Sequence, residues 1–277
     1  MSIPELRSDL DPFRRAAGIG ALYRRVPVVA VRSGLGLGTL PTIRRFEGTS
    51  ETRHLQERFA RLAANSPAIE GLLRRIGDRG GSVFAYGGWV RDALSSIDRS
   101  RELEPRDIDF VVEGLDWKAL RELLNEPFRE TIFGGFACEW SGFPFDIWPL
   151  QDTFLIHELA LPPTLASLLQ VTDFTINALI FAPAAINRKP FLLEAGSLEA
   201  LRARTIDFQC AHLPFPTIQI GRLLLYASKL GFTFGSDVTS FLARELSNPV
   251  TRGIVVEALR HHPTAFTGAA EKLASTL

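Results

Sequence analysis

The sequence predicts an α+β fold: a small mixed sheet with its helices over residues 66–190, then an all-helical region over 191–277. Three observations lead there. Up to about residue 150, short apolar runs closed by glycine alternate with stretches of helical periodicity. Between Glu130 and Trp148 two turn signals, Gly134-Gly135 and Ser141-Gly142, break the chain into an antiparallel meander. From about Thr164 onward the apolar residues recur at helical spacing, and no internal repeat interrupts them.

Taken in order, residues 1–65 form an Arg-rich extension. Its first 50 residues hold many Gly and Pro and the pairs Arg14-Arg15, Arg24-Arg25 and Arg44-Arg45, a composition that suits irregular or partly helical chain. Leu55, Phe59 and Leu62 then repeat at helical spacing. Ser66-Pro67 supplies a cap and first-turn pair for a helix carrying Ile69, Leu72, Leu73 and Ile76. Ser82 to Tyr86 reads as a buried strand, Gly87-Gly88 as a tight turn, and Trp89 to about Ile97 as a helix. Ile108 to Glu113 is a second strand, and Asp116 caps a helix through Leu124. Beyond the meander the expected helices are Leu165–Gln170, Asp173–Phe181, Leu198–Arg204 and Ile218–Leu230, with more to follow.

Composition narrows the function. The formal net charge is zero, so no overall basic field draws the molecule onto nucleic acid. Charge is uneven, however: residues 1–81 carry 14 Arg and no Lys against 8 Asp and Glu. Such a segment suits contact with RNA, and equally a solvated face. Cys138 and Cys210 show no metal-type spacing and no disulfide framework, which points to a reducing, cytoplasmic setting. Apolar runs long enough for a membrane span are absent, and Glu5, Asp9 and Asp11 interrupt any signal-like start. His54, His157, His212, His261 and His262 fall at no ligand spacing. Oligomeric state is not legible.

Chemistry concentrates in one stretch. Asp107 and Asp109 lie two apart at the start of a strand, so they share a face while Ile108 and Phe110 point into the core. Two carboxylates so close repel one another unless a cation or a proton relieves them. Oxygen donors of this kind suit Mg²⁺ or Mn²⁺, which also takes ligands from substrate phosphates. Asp146, on the last strand of the meander, reaches the same place by strand geometry alone. The turn at Gly87-Gly88 leaves backbone N–H groups at a helix N-terminus with no side chains in the way, which is an anion site. Singly, a carboxylate pair is often a solvated face and a Gly-Gly only a turn. Their succession in adjacent strand–helix units is far more specific.

The run from Gly87 to Val111 resembles the head domain of class II tRNA CCA-adding enzymes and bacterial poly(A) polymerases, in the DNA polymerase β-like nucleotidyltransferase superfamily. The family pattern, Gly-Gly-x-Val-Arg-Asp, a loop, a basic residue and Asp-x-Asp, is met by residues 87–92 and by Arg106-Asp107-Ile108-Asp109. Thr172-Asp173-Phe174-Thr175-Ile176-Asn177-Ala178-Leu179 resembles its next motif. Glu194–Arg204 resembles the lead into the helical neck, and Arg222–Phe232 the neck helix. The similarity spans about residues 82–235 and leaves 1–65 uncovered. It implies a polymerase β-like head, catalytic metals at Asp107 and Asp109, and triphosphate at Gly87 and Gly88. Asp173 and Asn177, four apart on one expected helix face, would sit beside the sugar, with Asp173 equally suited to capping that helix. Arg91 would contact phosphate or pair with Asp92.

Three departures stand out. Val171-Thr172 replaces two family arginines, and Phe215-Pro216-Thr217-Ile218-Gln219 replaces the Glu-Asp-x-x-Arg base reader. Gln219 is the one remaining group there to hydrogen-bond a base, while Arg222 survives at the family's later Arg position. About 45 residues follow the neck helix, too few for the family's body and tail domains, so CCA synthesis is not expected. The sequence thus predicts metal-dependent transfer of a nucleoside monophosphate from a triphosphate to a hydroxyl. The favoured acceptor is a nucleic-acid 3′ end. A protein, a small molecule or another nucleotide is the alternative acceptor, and an inactive head-like binding module the non-enzymatic one.

Overall fold

The computed structural model describes residues 28–31, 42–96, 107–131, 133–140, 142–185, 188–262 and 265–276. Its elements begin with β1 (Val28–Ala30), β2 (Arg44–Glu47), α1 (Ser50–Asn65), α2 (Pro67–Asp78), β3 (Ser82–Tyr86), α3 (Gly88–Ser95), β4 (Ile108–Glu113) and α4 (Trp117–Leu123). Then come β5 (Phe128–Glu130), β6 (Phe136–Trp140), β7 (Phe143–Pro149), α5 (Phe154–Glu158), α6 (Leu165–Gln170), β8 (Leu179–Ala182) and β9 (Phe191–Glu194). The chain closes with α7 (Ser197–Ala203), β10 (Thr205–Ile206), β11 (His212–Pro214), α8 (Pro216–Leu230), β12 (Thr233–Phe234), α9 (Ser236–Leu246), α10 (Pro249–Arg260) and α11 (Thr267–Thr276). Two compact units divide it. One takes residues 40–172 and 176–197; the other takes 173–175, 198–277 and the described residues before 40.

The first unit is built on an eight-stranded sheet in the order β2-β9-β8-β3-β4-β7-β6-β5. Six of its neighbouring pairs are antiparallel and β4–β7 is parallel. A parallel pair needs a long crossover, and α4 with the β5–β6 hairpin provides it. Asp116 caps α4 as expected, its carboxylate accepting from the Ala119 N–H at 2.7 Å. One sheet face is covered by α1 and α3. Phe59 of α1 meets Trp89, Phe110 and Phe181 edge-on, with ring centroids 6.1, 6.3 and 6.2 Å apart. Phe110 passes the contact on to Phe145 at 5.7 Å, and Phe145 to Trp140 at 5.1 Å. These T-shaped pairs add to area burial and fix the rotation of each ring.

Several expectations shift in this unit. Residues 173–181 form no helix: a single 3-10 turn, Thr175–Asn177, leads straight into β8. All four residues of β8 are buried, between β3 and β9. A strand apolar on both faces shows no alternation, so its sequence reads like a buried helix. The paired Arg44-Arg45 belongs to the sheet, on its β2 edge, and not to a free arm. Arg44 pairs with the fully buried Glu194, and Arg45 stacks 3.7 Å from the Phe191 ring while bonding Glu47. Arg14, Arg15, Arg24 and Arg25 lie outside the described residues. Ser66 precedes α2 without making a side-chain cap bond; Pro67 at the first turn starts that helix.

The second unit centres on α8, whose Ile218, Ile220, Leu223, Leu224 and Leu230 are buried on more than one side. Gly231 ends it in the left-handed region at φ 63°. Helices dominate here, joined by two short ribbons: β1 pairs antiparallel with β11, and β10 parallel with β12. Phe208 packs edge-on to Phe241 of α9 at 5.3 Å. Among the described residues no helix is long and apolar enough to cross a membrane.

Phe110 is fully buried where α1 meets the sheet. Phe110→Ala leaves a cavity among rings that cannot collapse into it, and should cost about 3–5 kcal/mol of stability in urea unfolding. A loss below 1 kcal/mol would show that this aromatic contact does not hold α1 on the sheet.

Candidate functional site

The parallel register decides where the carboxylates meet. Asp109 of β4 stands directly opposite Asp146 of β7, so both side chains leave the same sheet face from strands about 4.8 Å apart. Both are half-buried, while Ile108, Phe110, Phe145 and Ile147 on the other face are buried. Asp107 precedes the ladder and is exposed. Among the described residues no three His, Cys, Asp or Glu side chains gather as an ion site. Of the expected trio, Asp109 and Asp146 face each other across β4–β7, and Asp107 lies one residue before the strand pairing. Burial pushes the Cys138 thiol far up from its usual range, and the negative charge of Asp146 adds to it.

The glycine turn adjoins that pair. Gly87 links β3 to α3 at φ 64° and ψ −118°, a conformation that only glycine adopts without strain. A Cβ placed there would lie 3.9 Å from the Asn177 carbonyl oxygen and 4.0 Å from Asp109 Oδ2. The turn thus borders the Asp109 carboxylate. The first N–H groups of a helix have no intrahelical partners, and those of α3 begin at this point. Gly88 lies under the Arg91 guanidinium: a Cβ there would be 3.7 Å from it.

Arg91 itself turns inward. It is 2% exposed, bonds Asp92 Oδ1 through Nε at 2.8 Å, and donates from Nη1 to Asn177 Oδ1 at 2.6 Å. Of the two roles open to it from sequence, the geometry carries the ion pair with Asp92. Asn177, buried and ending the 3-10 turn, presents its carboxamide to Arg91.

Of the residues expected to read sugar and base, Asn177 belongs to the first unit, while Asp173, Gln219 and Arg222 sit in the second, bonded to one another. Asp173 lies in a bend, so no helix face joins it to Asn177. It does not cap a helix; one oxygen accepts from the Phe174 N–H at 2.7 Å and the other pairs with Arg222. Arg222 also donates to Gln219 Oε1 and to the Tyr226 hydroxyl, both at 3.0 Å. Gln219 is buried and its Nε2 donates to the Pro214 carbonyl at 3.1 Å. Both ends of the amide expected to meet a base are therefore engaged internally. Sequence reading missed two aromatic residues beside the carboxylates, Tyr86 opposite Asp109 and Trp148 two residues beyond Asp146. Their alternation with buried neighbours was the available signal.

No protein-family model matches the chain, and no curated protein matches it. Solved structures do match. A CCA-adding enzyme in complex with ATP is 19% identical with a TM-score of 0.58, over 84% of this chain and 55% of that one. The Thermotoga maritima CCA-adding enzyme complexed with tRNA is 18% identical with a TM-score of 0.55, over 83% and 54%. A tRNA nucleotidyltransferase complexed with a primer tRNA and an incoming ATP analogue is 22% identical with a TM-score of 0.51, over 74% and 60%. The chain spans little more than half the length of these structures, and the likeness is one of fold.

The Arg91 network generates a test of the turn. Arg91→Ala removes the guanidinium from the buried Asp92 carboxylate and from Asn177 Oδ1, so it should cost about 3–5 kcal/mol in urea unfolding. Arg91→Lys should recover only part of this, because one ammonium cannot replace a forked guanidinium. Full recovery by Lys would mean that charge alone, without the bond to Asn177, holds the turn.

Proposed function

We propose that this chain is a metal-dependent nucleotidyltransferase that moves a nucleoside monophosphate from a triphosphate to a hydroxyl acceptor, with a nucleic-acid 3′ end favoured. The carrying observation is the meeting of Asp109, Asp146 and the Gly87 turn within one sheet unit. In the reaction the acceptor oxygen bonds to the α-phosphorus, the α–β anhydride bond breaks, pyrophosphate leaves, and the hydroxyl proton passes to water.

The donor set fits a small hard cation: two half-buried carboxylates at one register level, the number that Mg²⁺ commonly takes from protein when phosphates complete its shell. Asp109 and Asp146 would hold Mg²⁺ or Mn²⁺, with Asp107 in reach at the rim, and the ion would supply charge neutralisation at the transferring phosphoryl group. The chain's own groups do the positioning. Backbone N–H groups at the start of α3 orient the triphosphate, and Gly87 and Gly88 keep side chains out of its way. Arg91, Asp92 and Asn177 hold that turn in place. The fold likeness to enzymes solved with ATP and with tRNA supports a nucleotide donor and an RNA acceptor.

The test incubates purified protein with each labelled NTP, Mg²⁺ or Mn²⁺, and RNA, and sizes the products with and without RNA. Label in RNA supports the proposed acceptor; label on protein or in short oligonucleotides moves the acceptor and keeps the chemistry. Asp109→Ala and Asp146→Asn should each lower transfer by at least about a hundredfold, the scale of losing a directly acting electrostatic group. Neither should unfold the protein, since each also relieves carboxylate repulsion. Near-normal turnover in Asp109→Ala would overturn the reading.

A further inference from the structure

The sheet face that carries Asp109 and Asp146 also carries two rings that the proposed transfer does not use. Tyr86 stands directly across β3–β4 from Asp109. Trp148 follows Asp146 on β7 by two residues, hence on the same face. Their rings meet edge-to-face, centroids 6.0 Å apart at 84°. Both remain partly exposed.

Each ring is fixed at its polar end. The Tyr86 hydroxyl donates to Thr172 Oγ1 at 2.9 Å, and Thr172 in turn donates to the Leu168 carbonyl at 3.0 Å. The indole Nε1 of Trp148 donates to Thr153 Oγ1 at 3.0 Å, and Thr153 donates to the Leu150 carbonyl at 2.9 Å. With their polar atoms committed, what the rings offer a ligand is π surface. On the neighbouring strand side the Gly135 backbone packs closely against Trp148: a Cβ there would come within 2.7 Å of Trp148 Cβ, so no side chain fits at that position. Meanwhile the amide of Gln219 is occupied by Arg222 and Pro214, so the residue expected to read a base is engaged elsewhere.

We infer that Trp148, braced by Tyr86, is a stacking shelf for a nucleobase beside the carboxylate pair. The shelf rests on the transfer reading above and adds to it how a base is held: by its face, with little regard to its edge. Stacking of this kind tolerates any base, because every base presents a π face. The base belongs either to the incoming triphosphate or to the terminal nucleotide of the acceptor.

Intrinsic fluorescence reads the shelf directly. Of the four tryptophans, Trp89 and Trp140 are buried while Trp117 and Trp148 are half-buried, so quenching by a base on the shelf should vanish in Trp148→Phe, which keeps Trp117. Four probes separate the sources: ATP and inorganic tripolyphosphate, each with Mg²⁺, and a short oligoribonucleotide with or without a terminal abasic sugar. Trp148→Leu keeps apolar bulk and removes the ring face, and the affinities of this and the Phe variant are read by titration calorimetry, which does not need the indole signal. The Leu variant should weaken whichever base-bearing probe uses the shelf by about 5- to 150-fold, the range of one stacked base, and leave its base-free counterpart unchanged. Trp148→Phe should retain most of that affinity, a rescue that a merely structural role would not give. Equal affinity of wild type and Trp148→Leu for both ATP and the oligoribonucleotide overturns the shelf while triphosphate binding, and with it the transfer reading, stands. Equal loss of base-bearing and base-free probes overturns it as well, since packing alone would then explain the change. Absence of ATP and tripolyphosphate binding in wild type would overturn the transfer reading and the shelf together.

Discussion

The parallel pairing of β4 with β7 is the constraint on which the candidate site depends. Side chains alternate across a sheet with a period of two, so slipping this pair by one residue would send Asp146 into the core and bring Phe145 or Ile147 out beside Asp109. The aromatic chain beneath the sheet resists such a slip. Phe110 and Phe145 are both buried and in contact, and Phe145 also meets Trp140 on β6. Moving the register would break these contacts before it moved a carboxylate. Hydrophobic packing on one face thereby fixes the position of charge on the other.

A second constraint acts at the Gly87 turn. The backbone at Gly87 must turn at φ 64° to start α3 beside Asp109, and such a turn holds its shape only if both arms are anchored. The Gly87 N–H donates to the Leu179 carbonyl of β8 at 3.0 Å, and its own carbonyl accepts from the Arg91 N–H at 3.0 Å. Arg91 then reaches Asn177, just ahead of β8 in the chain. The buried guanidinium thus ties the first turn of α3 to the entry of β8. An ion pair buried this deeply gives up hydration on both partners, so its net contribution to stability is small even though breaking it is costly. Its value lies in fixing one geometry.

Much of this was legible in the sequence because local chemistry and final structure agree. Ser82–Tyr86, Ile108–Glu113 and the Asp116-capped helix fall where their alternation and capping residues place them, and Gly87 and Gly88 mark a true turn. The stretch after Val171 was not legible. The run from Asp173 to Phe181 mimics a helix because β8 is buried on both faces, so the period-two signal is lost. Arg44 and Arg45 look like part of a basic arm because their partners, Glu194 and Phe191, lie about 150 residues away along the chain. Likewise, nothing local in Gln219 foretells that Arg222 and the Pro214 carbonyl will occupy its amide. Long-range pairing decided each of these cases.

The two compact units therefore hold two groups of residues that the proposed reading would use differently. On the proposed reading, holding a triphosphate beside the paired carboxylates would depend on the sheet register, the Gly87 turn and the Arg91 network, all within one compact unit. The group formed by Asp173, Gln219, Arg222 and Tyr226 belongs to the other unit and is satisfied internally: the Asp173 carboxylate neutralises Arg222, and Arg222 in turn orients the Gln219 amide. Buried polar groups that already have partners do not reject a mismatched base, because no bond is lost when the wrong edge arrives. On the same reading a base would be held by contacts that are blind to its edge, of which ring faces are the natural kind. A sheet that places Tyr86 and Trp148 beside Asp109 and Asp146 supplies such contacts from the same register that assembles the carboxylates.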